Sequence, residues 1–160
     1  MVSAFEIFLR AERIERDAAA LYRRLLDSFP WPESDRDVLK RLEQEEIQHA
    51  ARIRLLTAQY RNDGRLFQVP RASLERLAAI DVAWQQFVAE LDEGRWGEDL
   101  EALKRRIGDL EERCGASHAE VLADCADPRV ADFFRELGRQ DDEHRAILLG
   151  GPLPERLRDL

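Results

Sequence analysis

Apolar residues recur along most of this chain at alternating steps of three and four, the spacing of a helix that lays one stripe against its neighbours. The first such stripe runs Phe8, Ala11, Glu15, Ala18, Tyr22, Leu25 and Phe29, on a helix expected from Ser3 to Asp27. Its opening, "SAFE", sets Ser3 three residues before Glu6, the signature of a capping box. "SFPWPESD" breaks the pattern. A second helix is expected from Ser34 or Asp35 to the turn signal "NDG" at 62–64. "LFQVPRAS" reads as a loop, and a further helix follows over about 72–92, ending at "EGRWG". The next helix is expected over about 98–124. Asp127 and Pro128 then supply an N-cap and a first-turn proline for a last helix that runs to Leu149 and stops at "GGP". No strand-like alternation appears. The expectation is one all-α domain over 1–160: a helix pair (3–62), a long crossover with an extra helix (63–97), a second pair (98–149) and a short tail (150–160).

Four of the stripes carry the wrong residues in the middle. The second helix reads Leu39, Leu42, Glu46, His49, Ile53, Leu56, Tyr60, in steps of 3, 4, 3, 4, 3, 4. The last reads Val130, Phe134, Leu137, Asp141, His144, Leu148. Glu15 interrupts the first stripe, and Glu111 interrupts Ile107, Cys114, His118, Val121, Cys125. The pattern is also an internal repeat. "IERDAAALY" aligns with "LEERCGASH", and "RLEQEEIQH" with "ELGRQDDEH", so Glu15 matches Glu111, Tyr22 matches His118, Glu46 matches Asp141 and His49 matches His144. Glu15 and His49 are 34 residues apart, and Glu111 and His144 are 33 apart.

Composition narrows the setting. The 160 residues are 44% apolar and 36% charged, enough for one hydrophobic core in a water-soluble helical protein. A net charge of −8 argues against a nucleic-acid surface. No stretch approaches the about 18 apolar residues of a membrane span, and the start shows no signal-peptide pattern. Cys114 and Cys125 would stand about 16 Å apart along one helix, too far for a mutual disulfide, and a reducing cytoplasm is the expected location.

Charged side chains are rarely buried unless they are paired or bind metal. Four inward carboxylates without a cation would repel one another, and some would stay protonated. Two divalent metals remove both difficulties. Residues three apart on a helix share a face, so each carboxylate-x-x-His pair offers an oxygen and a nitrogen to one place. Two such pairs, with one carboxylate from each remaining helix, make a six-residue dinuclear set, an arrangement built inside four-helix bundles. The competing reading is a buried salt-bridge network in a metal-free bundle.

With Glu15, Glu46, His49, Glu111, Asp141 and His144 in register on four stripes, the chain resembles the ferritin-like di-iron carboxylate proteins, and among them the erythrin domain of rubrerythrins, over roughly residues 4–149. The resemblance implies a ferritin-like bundle with two iron ions, or manganese. Glu46 and Asp141 would bridge them, Glu15 and Glu111 would be terminal, and His49 and His144 would give one nitrogen each. It implies oxidation of Fe(II) by hydrogen peroxide or O2, in oxidative-stress defence or iron homeostasis, in a homodimer or larger homo-oligomer. Three departures stand out. The second pair is D-x-x-H. Cys114 occupies the place of an additional carboxylate of rubrerythrins. No C-x-x-C pair provides a rubredoxin domain, so electrons would come from the substrate iron or an external donor. A ferroxidase or iron-storage protein and a non-catalytic, metal-stabilised bundle share the same site.

Around the set, Tyr22 is expected to hydrogen-bond a liganding carboxylate, and His118 to act beside the centre or handle protons; core packing is the alternative for both. Cys114 is either redox-active or an occasional ligand, with a small buried hydrophobe as the alternative. Glu12, one turn before Glu15, is a seam-edge charge or a further ligand. Trp31, Trp84 and Trp96 are expected to pack. The tail "GGPLPERLRDL" reads as a surface tail, with a docking peptide as the alternative.

Overall fold

The computed structural model describes residues 2–63, 68–69, 71–97, 99–121 and 127–157. These form five helices: α1 (Ala4–Ser28), α2 (Glu33–Asp63), α3 (Arg71–Asp92), α4 (Leu100–Val121) and α5 (Pro128–Leu148), followed by a 3₁₀ turn at Glu155–Leu157. Ser3 caps α1 as expected, although its hydroxyl accepts from the N–H of Phe5 at 3.2 Å rather than from that of Glu6. The helix ends at Phe29, and Trp31 folds back to donate to the carbonyl of Leu25 at 2.8 Å. Helix α2 begins at Glu33, slightly before the expected start, because the Pro32 carbonyl already accepts from Arg36 at 2.9 Å. Asp127 caps α5 by accepting from Arg129 N–H at 2.9 Å, with Pro128 in the first turn. A two-residue antiparallel bridge, Val2–Ser3 with Gln68–Val69, joins the chain start to the crossover. It is too short to show alternation.

Helix α1 packs on α2 and α4 on α5; α3 lies along α1 and α4, and α2 meets α5. The apolar stripes meet in one core, with Phe8, Leu25, Leu42, Ile53, Ile107 and Phe134 all but fully buried. Tyr60 at the end of α2 donates to Asp127 at 2.6 Å, tying that end to the start of α5. The extra helix α3 is more than a connector. Its buried Asp81 accepts from Arg10 at 2.8 Å and Arg13 at 3.0 Å of α1, and Leu77, Ile80, Trp84 and Phe87 are buried beside it.

Helices α4 and α5 touch backbone to backbone at Gly115 and Gly138. A Cβ on Gly138 would lie 2.7 Å from the Gly115 carbonyl oxygen, and one on Gly115 would lie 2.9 Å from that of Gly138. Only glycine permits this approach. The tail is not a plain surface tail: Leu157 is fully buried, and Arg41 of α2 donates to its carbonyl. Among the described residues, no helix is long and apolar enough to cross a membrane.

Candidate metal centre

All six seam residues project into one buried space between α1, α2, α4 and α5. Each is 2% exposed or less. Glu15, Glu46, His49 and Asp141 each bring a donor atom within 4.8 Å of the others, and so do Glu46, Glu111, Asp141 and His144. The two sets share Glu46 and Asp141. Glu15 and His49 belong to one set only, Glu111 and His144 to the other. This division follows from the helical spacing: three residues along α2 or α5 carry the chain from a shared carboxylate to a histidine on the same face.

The contacts are those of donors crowded around a common space. His49 Nδ1 lies 3.2 Å from both Glu15 Oε2 and Glu46 Oε2. His144 Nδ1 lies 2.8 Å from Glu46 Oε1 and 3.7 Å from Glu111 Oε2. The His144–Glu46 pair is close but badly aligned, and neither atom has a directed hydrogen-bond partner among the described residues. The two imidazoles stack at 5.6 Å between centroids, 9° from parallel. Unsatisfied buried atoms of this kind need an explanation, and a bound cation is one. The donors are oxygens and imidazole nitrogens only, a set that suits iron or manganese. Residues and group therefore fit.

Without metal, protons do the balancing. Burial, reinforced by the charge on Glu46, pushes the Glu15 carboxyl up to about 6. Burial opposes charge on the His49 ring, but hydrogen bonds to Glu15 and Glu46 outweigh it and raise its pKa to about 10. His144 is likewise raised against burial by Glu46, Glu111 and Glu45. Glu46 is held below its ordinary value, because His144 outweighs burial and Glu111.

The residues expected beside the centre are there. Tyr22, fully buried, donates to Glu111 Oε1. Burial and the charges of Glu111 and Glu46 keep its phenol protonated. His118 lies between two of the carboxylates, with Nδ1 2.8 Å from Asp141 and Nε2 3.4 Å from Glu15. Cys114 is buried, its sulfur accepts from Trp84 Nε1 at 3.3 Å, and it belongs to neither donor set. Burial and the nearby Asp141 and Glu111 charges push its thiol well up, so in the metal-free chain it stays protonated. Glu12 is away from the centre, on an outer groove between α1 and α2 beside Ile47 and Leu55. Cys125 lies outside the described residues.

Two neighbours escaped the stripe pattern. His144 Nε2 meets Glu45 Oε2 at 2.6 Å, and His49 Nε2 meets Gln140 Oε1 at 2.8 Å. Each histidine thus has its outer nitrogen held by the other helix of the α2–α5 pair. The repeat contained the signal: it aligns Glu45 with Gln140, each one residue before a seam carboxylate. Glu45 also forms a third donor group with His49 and His144, sharing both histidines with the first two sets. Glu45, Gln48, His49, Arg52, Gln140 and Arg156 line a cavity of about 160 Å³ on this outer side.

Comparison with protein-family models, with curated proteins and with solved structures gives no match. The functional reading therefore rests on these residues and their geometry.

Proposed function

We propose that this chain is a ferritin-like, dinuclear metal protein of the rubrerythrin kind that holds two iron ions, or manganese, and oxidises Fe(II) with hydrogen peroxide or O2. One observation carries the reading: two overlapping four-residue donor sets, buried in the bundle, share Glu46 and Asp141. Shared carboxylates between two terminal Glu–His pairs are what a pair of neighbouring cations requires. Glu15 and His49 would serve one ion, Glu111 and His144 the other, with Glu46 and Asp141 common to both. When bound there, two redox-active ions would supply two electrons to a small oxidant. The chain's part is to present neutral imidazole Nδ1 atoms and ionised carboxylates, to hold Glu111 through the Tyr22 hydroxyl and Asp141 through His118, and to keep bulk water out with Phe8, Ile53 and Phe134.

The test is anaerobic Fe(II) titration of the metal-free protein, then stopped-flow absorbance on adding peroxide or O2. A double variant, Glu46→Ala with His49→Ala, runs alongside. Two irons per chain and rapid iron oxidation, both lost in the variant, are expected. Absence of stoichiometric binding would reduce the cluster to a buried ion-pair network. Tight binding without oxidation would leave a metal-stabilised bundle. Faster reaction with O2 than with peroxide in a large assembly would favour iron storage.

A further inference from the structure

The two histidines have different supports. Gln140, which serves His49, is held from α5 and α2 themselves: its amide donates to Glu136 at 2.8 Å, and Arg52 of α2 donates to its oxygen at 3.3 Å. Glu45, which serves His144, is held from the C-terminal turn. Arg156 Nε donates to Glu45 Oε1 at 2.6 Å and its Nη2 to Oε2 at 3.1 Å, a two-pronged grip on both oxygens. The same guanidinium pairs with Glu143 of α5. The turn itself is anchored, because Leu157 is buried in the core and Arg41 of α2 donates to its carbonyl. A carboxylate gripped through both oxygens loses its choice of rotamer. The grip leaves Oε2 of Glu45 facing His144 Nε2, and a ring fixed at Nε2 has Nδ1 fixed too, toward Glu46 and Glu111.

We propose that Arg156 is a positioning residue for His144: through Glu45 it fixes the orientation in which His144 presents Nδ1 to the centre, so the C-terminal turn is a structural part of the site. The proposal builds on the metal reading, and its test separates the two. The first readout is metal-free. In ¹⁵N-labelled protein, histidine ring correlations should show a His144 Nε2–H protected from exchange in the unmodified chain. Protection should be lost in Arg156→Gln, while the His49 ring signals, supported by Gln140, stay in place. The second readout is Co(II) titration followed by visible absorption. Arg156→Gln should weaken binding about 10- to 100-fold, the usual effect of removing a residue that orients a ligand. Arg156→Lys should fall between, because an ammonium cannot reproduce the planar two-pronged contact. If Arg156→Gln disturbs the fold, Arg156→Lys carries both readouts, with a smaller change in the same direction. A His144 ring signal and a Co(II) isotherm that match the unmodified protein in both variants would overturn the proposal. If the unmodified protein takes up no Co(II), the metal reading falls, and the ring signals alone decide whether Arg156 positions His144.

Discussion

Of the four carboxylates in the six-residue set, three have a neighbour outside it that limits their freedom. The Tyr22 hydroxyl holds Glu111 from α1, and the His118 ring sits between Asp141 and Glu15. Tyr22 keeps its proton, so it acts as a donor at any ordinary pH. Tyr22→Phe keeps the ring and removes only that donor. A buried hydrogen bond to a charged acceptor contributes about 1.5–3 kcal/mol, so the metal-free variant should lose about that much in urea unfolding, with an unchanged slope. Unaltered stability would mean that Glu111 finds another donor when Tyr22 is removed.

Among the elements, the α4–α5 contact sets how closely Glu111 and His118 can approach Asp141 and His144. Gly115 and Gly138 each face the other's carbonyl oxygen, and the three atoms nearest an added methyl at Gly138 are all backbone. Gly138→Ala should therefore force the helices apart and lower stability by about 1–3 kcal/mol, despite the better helix propensity of alanine. Gly108, on the same helix α4, is the control. A Cβ there would meet only the flexible Arg145 side chain at 3.4 Å and Leu149 at 4.0 Å. Gly108→Ala should be neutral or stabilising by up to about 1 kcal/mol. Thermal melts of the two variants should move in opposite directions, or Gly108→Ala should not move at all. Equal losses would show that the helix approach is not what Gly138 protects.

At the scale of the molecule, the buried charges set the pH profile of the metal-free protein, and the proposed metal would change it. The His49 pKa is about 10 in the folded metal-free chain and about 6.5 when unfolded, so its contribution to stability is whole below about pH 6.5 and is lost as pH rises toward 10. His144 and His118 are raised as well and act in the same direction. Glu15, raised from 4.5 to about 6 by burial, has the same sign in a lower window: its contribution is whole below about pH 4.5, falls as pH rises through 6 and is constant above. At the acid end Glu45, lowered to about 2 because His144 and Arg156 outweigh burial, withdraws its contribution as pH falls from about 4.5 toward 2. Denaturation of metal-free protein across pH should show a maximum at about pH 5–6 and a steady decline to pH 10. If the centre binds metal as proposed, the ion would have to displace the ring protons of His49 and His144, so its affinity, and the stabilisation it brings, should climb over the same range. Metal-free stability that rises up to pH 9 would contradict the charge balance described here.

The stripes determined most of what places the centre. Period and caps define five helices to within a few residues, and the same period names Glu15, Glu46, His49, Glu111, Asp141 and His144 as the inward polar set, because a helix puts residues three and four apart on one face whatever surrounds it. Tyr22 and His118 were legible for the same reason. Other features depend on which surfaces meet, and no local period encodes that. Glu45 and Gln140 lie beside their stripes, and they are buried only because α2 and α5 face each other there. Asp81 becomes a buried anchor only once α3 lies along α1. The tail, unremarkable as a string of residues, reaches the buried cluster when Leu157 enters the core and carries Arg156 to Glu45. Local spacing decides which side chains point inward; the docking of helices and tail decides which of them touch, since contacts between distant segments are chosen by packing and charge pairing in three dimensions.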